Sequence, residues 1–165
     1  MKKFISIYIF FIVSILSAWS LETDISLYNE MTSAYNSRFY PGAIQHADRL
    51  ISNFPDSVFI ANAYSVKGEC HVRLFQYEEA EHALKQALIV TEKNSALNLS
   101  SIYWLARTYE LTKQYEEALV EYHNYCKSAS KNGNFYPFAI ANSGKIFHQI
   151  KQFDKAIPLL EYCVS

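Results

Sequence analysis

The sequence predicts an all-α protein built from about four helix–turn–helix repeats. The first observation is a pentapeptide that occurs twice: residues 76–80 read Gln-Tyr-Glu-Glu-Ala, and residues 114–118 repeat it 38 positions later. The second is that weaker copies at residues 39–43 and 152–156 continue the pattern at intervals of 37 and 38. A period of roughly 20–50 residues is typical of solenoids. The third is that four Gly and four Pro among 165 residues are too few for a β-protein with many turns.

Composition and charge narrow the function classes. Half of the residues are apolar and the formal net charge is −1, so the chain is neither disordered nor basic enough for a nucleic-acid stripe. We therefore predict no nucleic-acid partner.

The N-terminus has the pattern of a targeting segment. Lys2 and Lys3 precede an almost wholly apolar run over residues 4–16, and small residues follow at 18–20. We predict a signal peptide over residues 1–20 and a repeat domain over residues 21–165. The predicted protein is exported, to the periplasm or cell envelope. The alternative is that residues 4–20 are retained as a membrane anchor, although the apolar run is short of the ~20 residues of a spanning helix.

The first unit is predicted over about residues 24–56. Leu27, Met31 and Tyr35 recur at helical spacing and indicate its first helix. Pro41 marks the start of the second helix, because a proline in the first turn loses no hydrogen bond. The apolar stripe of that helix is Ala43, Ala47, Leu50 and Ile51.

The second unit is predicted over about residues 57–93. Ser57, after a proline and an aspartate, is expected to cap its first helix. Gln76 and Tyr77 are expected to form the turn. Glu78 and Glu79 then open the second helix, where carboxylates favour the positive end of the helix dipole. Its apolar stripe is Ala80, Ala83, Leu84, Ala87 and Leu88.

The third and fourth units repeat this plan over about residues 94–132 and 133–165. The stripes of the third unit are Ile102, Leu105, Ala106 and Tyr109, then Ala118, Leu119, Tyr122 and Tyr125. Those of the fourth are Ile140, Gly144 and Phe147, then Ala156, Leu159, Leu160 and Cys163.

Small residues recur where the two helices of a unit are expected to cross, since a close crossing needs a small side chain. The recurring aromatic residue is expected to fill the wedge beside the crossing. We predict that repeat packing depends on Ala43, Gly68, Tyr77, Ala80, Ala106, Tyr115, Ala118, Gly144, Phe153 and Ala156.

The pattern of recurring small and aromatic residues resembles the tetratricopeptide repeat family over residues 24–164. The matching residues are Tyr64, Gly68, His71, Tyr77 and Ala80, then Ala106, Tyr109, Tyr115 and Ala118, then Gly144, Phe147, Phe153 and Ala156, with Pro55 ending the first unit. The resemblance implies a right-handed superhelix of about four repeats. The period of 37–38 exceeds the family's usual ~34 residues, so longer helices or turns are expected. The stretch 47–68 is also similar to exported bacterial envelope members, such as the outer-membrane assembly lipoprotein and the periplasmic Tol–Pal protein.

The resemblance implies that the first helices of all units line a concave face that binds a peptide or a partner protein. Tyrosine and arginine are common at binding hot spots. The residues predicted to face a partner are Tyr28, Thr32, Tyr35, Asn62, Ser65, Glu69, Arg73, Tyr103, Arg107, Glu110, Lys145 and His148, with Phe138 beside them.

The function expected from this reading is a non-enzymatic scaffold of the bacterial cell envelope. The five His residues match no catalytic or metal-ligand spacing, and we predict no catalytic site, cofactor or metal. Two alternatives stay open: a membrane-anchored subunit of an envelope assembly or transport complex, and a solute-handling subunit. Apolar residues of the last helix also suggest self-association through it.

The three cysteines are interpreted as small buried side chains. They are Cys70, Cys126 and Cys163. An odd number in an exported chain leaves at least one thiol unpaired within it. A disulfide framework is the alternative.

Overall fold

The structure, a computed structural model, describes residues 22–162. The predicted signal peptide lies outside them. In the described range eight helices follow one another without a strand. They are α1 (Asp24–Asn36), α2 (Tyr40–Asn53), α3 (Ile60–Arg73), α4 (Tyr77–Val90), α5 (Ala96–Leu111), α6 (Tyr115–Ser128), α7 (Tyr136–Gln149) and α8 (Phe153–Tyr162).

The helices pack as four consecutive pairs, which confirms the predicted all-α solenoid. The pairs are α1–α2, α3–α4, α5–α6 and α7–α8, and each second helix also packs on the first helix of the next pair. Among the first helices, α1 packs on α3, and α3 packs on α5. Within the described part of the chain, the second helices show no comparable packing on each other. The first helices α1, α3 and α5 therefore form the inner row of the solenoid, and α7 has the equivalent place in the fourth unit.

The turn inside every unit has the same backbone structure. The first helix ends in a Schellman motif, as when the Gln114 N–H donates to the Tyr109 carbonyl at 2.8 Å and the Lys113 N–H to the Glu110 carbonyl at 3.0 Å. The left-handed residues of the four turns are Arg38, Phe75, Lys113 and Lys151, with φ of 61–62°. None is a glycine, although this conformation favours glycine.

The glutamine of the pentapeptide belongs to both helices of its unit. Gln114 ends the Schellman motif of α5, and its carbonyl accepts the first hydrogen bond of α6 from the Ala118 N–H at 3.0 Å. Gln76 does the same between α3 and α4. The prediction that Tyr77 belongs to the turn is wrong, because Tyr77 is the first residue of α4.

The predicted cap at Ser57 is also wrong. Helix α3 begins at Ile60, and its N-cap Phe59 makes no side-chain cap hydrogen bond. The Ser57 hydroxyl instead donates to Asp24 Oδ2 at 2.8 Å and accepts from the Phe59 N–H at 3.2 Å. Ser57 therefore connects the loop between the first two units to the start of α1.

The helices of a unit approach closely at small residues. A Cβ added to Gly68 would lie 2.5 Å from Leu84 Cγ, and one added to Gly144 would lie 2.8 Å from Leu160 Cδ2. Ala106 is fully buried at the equivalent place of the third unit. The recurring alanines Ala43, Ala80, Ala118 and Ala156 are buried, Tyr77 and Tyr115 are half-buried, and Phe153 is 49% exposed. Phe153 instead contacts the His148 ring, with the ring centroids 5.3 Å apart.

The described cysteines are not paired with each other. Cys70 is fully buried and Cys126 is half-buried, both as free thiols. Burial raises the pKa of the Cys70 thiol to about 12 and that of Cys126 to about 11. Cys163 lies outside the described residues.

No helix in residues 22–162 combines the length and the apolar character that crossing a bilayer requires. The alternative anchor, residues 4–20, lies outside this range.

We expect Gly68→Ala to lower the free energy of unfolding by up to about 2 kcal/mol. Alanine favours the helix by about 1 kcal/mol, but its Cβ would overlap the fully buried Leu84, and overpacking costs about 1–3 kcal/mol. Urea unfolding followed by circular dichroism measures the difference. In a protein that already carries Leu84→Ala, the Gly68→Ala change should no longer lower the free energy of unfolding. A Gly68→Ala protein that is more stable than the wild type would contradict this account of the crossing.

Candidate binding face

The residues predicted to face a partner lie on the inner row of helices but differ in exposure. Arg73, Lys145, His148 and Phe138 are exposed. Tyr28, Thr32, Tyr35, Asn62, Arg107 and Glu110 are half-buried. Ser65, Glu69 and Tyr103 are buried. The inner row therefore combines an accessible surface with a polar layer beneath it.

The burial of Tyr103 corrects its predicted role as a contact residue. Its ring stacks on Phe135 with centroids 4.4 Å apart and an interplanar angle of 7°. Tyr122 and Tyr125 lie 6.0 and 5.9 Å away. Phe135 comes from the loop before α7, so Tyr103 joins the third and fourth units. With 6% of its surface exposed, Tyr103 is a core residue.

Ser65 needs the same correction. Its hydroxyl accepts a hydrogen bond of 3.0 Å from the Ser101 hydroxyl, and both side chains are buried. The pair joins α3 to α5, which is possible only because both side chains are small. Ser65 therefore fixes neighbouring first helices.

The central part of the face is a group that we call the Glu69 cluster, formed by Tyr35, Tyr40, Glu69, Arg73 and Trp104. Three donors meet at one oxygen, Glu69 Oε1. The Tyr35 hydroxyl donates at 2.6 Å, and Arg73 donates through Nε at 2.9 Å and Nη2 at 2.6 Å. A buried carboxylate is thereby paired and hydrogen-bonded, as burial of a charge requires.

The Arg73 guanidinium of this cluster also lies between two aromatic rings. Its Cζ is 5.6 Å from the centroid of Tyr40 and 5.0 Å from that of Trp104. Such cation–π contacts contribute about 0.5–1 kcal/mol at exposed sites. Because α1, α2, α3 and α5 all contribute, the cluster connects the first three units and fixes the orientation of Arg73.

The environment keeps Tyr35 a neutral phenol and Arg73 a charged guanidinium at neutral pH. Burial and then the hydrogen bond to Glu69 raise the pKa of Tyr35, which stays a neutral donor. Burial lowers the pKa of Arg73, but the hydrogen bonds and charge of Glu69 together outweigh it, and the pKa is raised. Arg73 therefore stays charged beside the neutral Tyr35.

A second group, the Glu110 cluster, lies farther along the face and consists of Arg107, Glu110, Tyr122 and Asn142. Arg107 Nη1 and the Tyr122 hydroxyl donate to Glu110 Oε2 at 2.6 and 2.5 Å. Asn142 Nδ2 donates to the Tyr122 oxygen at 3.1 Å. The contributors are α5, α6 and α7, so this cluster connects the third and fourth units.

Sequence analysis missed four members of these clusters. Each of them lies on a different helix from the glutamate of its cluster; they are Tyr40, Trp104, Tyr122 and Asn142. The pairs Glu69–Arg73 and Arg107–Glu110 have helical spacings of four and three, a signal that the sequence does contain. The partners from other units required the three-dimensional packing.

The glutamates of the pentapeptide lie elsewhere, along two surface clefts. Glu78 and Glu79 line a cleft of about 400 Å³ together with Asp48, His71 and His82. Glu116 and Glu117 line the equivalent cleft one unit later, of about 250 Å³. Across residues 22–162, no three His, Cys, Asp or Glu side chains are grouped closely enough to hold a metal ion.

We expect the buried Tyr122 to lower the free energy of unfolding as the pH rises above the usual pKa of tyrosine. Burial, and then the charge and hydrogen bond of Glu110, raise the folded-state pKa of Tyr122 above the unfolded value of about 10. The folded state therefore favours the neutral phenol. The stability that Tyr122 contributes is fully present below pH ~10 and is lost as the pH rises above that value. Each such tyrosine contributes a slope of about 1.4 kcal/mol per pH unit.

Urea unfolding at several pH values above ~10 tests this. The Tyr122→Phe protein should be less stable than the wild type but should lose stability with pH less steeply, by one tyrosine's slope. Equal slopes in the two proteins would refute the assignment.

Comparison with known proteins agrees with this architecture. Residues 61–94, which include most of α3 and all of α4, match the family model for the tetratricopeptide repeat. No curated protein matches the chain significantly. The narrower resemblance to exported envelope proteins stays a prediction.

Solved structures of MamA have a similar fold. The crystal structure of MamA aligns with a TM-score of 0.75 and 15% identity, covering 92% of this chain and 81% of that chain. MamA residues 41 to the end, from Desulfovibrio magneticus RS-1, align with a TM-score of 0.73 and 15% identity over 86% of this chain and 74% of that one. At this identity the likeness concerns the fold alone. The chain is thus a tetratricopeptide-like all-α solenoid, and its second unit carries the repeat family's sequence pattern.

Proposed function

We propose that this protein is a non-enzymatic scaffold that binds a partner protein or peptide on the inner row of first helices. Tetratricopeptide repeats generally bind protein partners. The observation that carries the proposal is Arg73, an exposed cation held between two aromatic rings in the middle of that row.

The exposed residues of the row suit a protein partner. Arg73 is at the C-terminal end of α3, while Phe138, Lys145 and His148 are on α7. Phe138 is 58% exposed, and aromatic residues and arginine are enriched in protein–protein interfaces. Solenoids use such extended inner surfaces for binding.

The polar layer beneath supports the proposal because it makes the face rigid. Glu69 and Glu110 are each fixed by donors from two helices or more. A preorganised surface loses little side-chain entropy when a partner binds. Arg73 and Arg107 are therefore held in place by Glu69 and Glu110 before a partner binds.

Site-specific photo-cross-linking in intact cells tests the proposed face. A photoreactive phenylalanine analogue placed at Phe138 or Lys145 should cross-link a discrete partner. The matched control is the same analogue at Val120 or Ile89, which are exposed on second helices α6 and α4. An additional Arg73→Ala change should weaken the Phe138 cross-link, because Arg73 belongs to the same face. Cross-links that come from the second helices and not from α7 would overturn the proposal.

We further propose that the scaffold acts in the periplasm or cell envelope. The support is the basic, apolar and small-residue pattern of residues 1–20. We expect the purified protein to have lost residues 1–20 and to begin at Leu21, as measured by intact-mass spectrometry. A mass that retains residues 1–20 would contradict cleavage and favour the anchored alternative.

A further inference from the structure

We propose that the cleft of about 400 Å³ between α2, α3 and α4 binds a primary alkylammonium group. Its polar lining includes Asp48 from α2, His71 from α3, and Glu78 and Glu79 from α4. We call it the Glu78 cleft. It is a second site, and it does not depend on the proposed binding of a partner at the inner face.

The Glu78 cleft opens on the other side of α3 from the inner face. Lys67 and His71 line the cleft, whereas Glu69 and Arg73 belong to the Glu69 cluster. Residues two apart on a helix are rotated by about 200° around its axis. The two pairs therefore point in nearly opposite directions, and a ligand in the cleft leaves the inner row uncovered.

The lining of the cleft has an excess of negative charge. Lys67 Nζ pairs with Asp48 Oδ1 at 2.6 Å. Glu78 and Glu79 are exposed, and they have no hydrogen bond or ion pair within residues 22–162. Three carboxylates and one ammonium give the lining a formal charge of −2, histidines left aside. The cleft therefore attracts a cation.

His71 adds a directed acceptor to this charge. The residue is 8% exposed, and its Nδ1 lies 2.8 Å from Gln76 Oε1. Because a carbonyl oxygen can only accept, Nδ1 donates and Nε2 keeps its lone pair. Nε2 has no partner in the described part of the chain and is not among the sealed polar atoms. It is therefore an acceptor that an N–H group in the cleft can reach.

The equivalent ring of the next two units already contacts an ammonium group of this chain. His71, Tyr109 and Phe147 follow one another at intervals of 38 residues. Lys85 Nζ lies 5.9 Å from the centroid of Tyr109, and Lys155 Nζ lies 5.5 Å from that of Phe147. This position of the repeat thus accommodates an ammonium group in two units of the protein.

The second unit differs because its own cation is engaged elsewhere. At the repeat position of Lys85 it has Asp48, 37 residues earlier, and Lys67 is committed to that carboxylate. The carboxylates of α4 and His71 Nε2 are left for a ligand. We infer that an external ammonium takes the place that Lys85 has in the third unit.

The cleft of the third unit is also acidic but lacks the directed acceptor. Glu116, Glu117 and Glu121 line it together with Tyr109. The Tyr109 hydroxyl donates to Glu81 at 3.4 Å, and its ring is covered by Lys85. The repeated glutamates therefore supply attraction in both clefts, while His71 supplies the preference for a cation that carries N–H groups.

Titration of the purified protein with three amines tests the inference. The probes are 1,4-diaminobutane, a peptide with blocked ends and a single lysine, and the same peptide with that lysine trimethylated. Binding is followed by the histidine ring signals in nuclear magnetic resonance spectra. We expect an ammonium probe to shift the signals of His71 and His82. The trimethylated peptide should bind about tenfold more weakly than the lysine peptide, because it has no N–H to donate.

Matched variants locate the site. Changing Glu78 and Glu79 together to Gln keeps the size of both side chains and should weaken binding about threefold or more. The same changes at Glu116 and Glu117, in the next cleft, should leave the affinity unchanged. His71→Phe introduces the residue found at position 147. It should remove the preference for lysine over trimethyllysine, with the His82 signal as the readout.

Each outcome decides the question. Binding by the diamine alone identifies a free polyamine as the ligand, binding by the lysine peptide identifies a lysine side chain, and either supports the site. Absence of a His71 shift with every probe overturns the proposal. So does equal affinity for lysine and trimethyllysine, or a loss caused by the Glu116 and Glu117 changes alone. Because Glu78 and Glu79 are exposed, their variant is decisive even if His71→Phe does not fold.

Discussion

The close crossing of the two helices inside each unit is the constraint on which the rest of the structure depends. Gly68 lets Leu84 approach α3, and Gly144 lets Leu160 approach α7. In the third unit the residue equivalent to Leu84 is Tyr122, which is fully buried opposite the small Ala106. The tyrosine is longer, and its hydroxyl reaches Glu110. One exchange at a packing position thus converts an apolar contact into part of the Glu110 cluster.

The buried glutamates explain why the inner row is one surface. A buried carboxylate without partners is strongly destabilising, so Glu69 and Glu110 need donors, and those donors come from neighbouring helices. Tyr35 comes from the first unit, and Asn142 supports Tyr122 from the fourth. A change at one cluster therefore affects at least two units, and the face is stabilised by the same contacts that join the repeats.

The periodic part of the molecule could be predicted from the sequence, and the rest could not. Helix positions follow from the 37–38-residue period because packing positions repeat with it. The left-handed turn residues Phe75 and Lys113 were not predictable, since neither is a glycine. The burial of Tyr103 depends on Phe135, which lies 32 residues later in a loop whose path has no periodic signal.

The proposed binding face consists of positions whose residues differ from one repeat to the next. The pentapeptide returns unchanged because its glutamine joins two helices and its alanine is buried between them. By contrast, the position of Glu69 is occupied one unit later by Arg107, and that of Arg73 by Leu111. Packing restricts the first set in every unit, while the second set is free to differ. The proposed binding specificity of this scaffold therefore rests on residues that break the period on the inner helices, and not on the repeated glutamates.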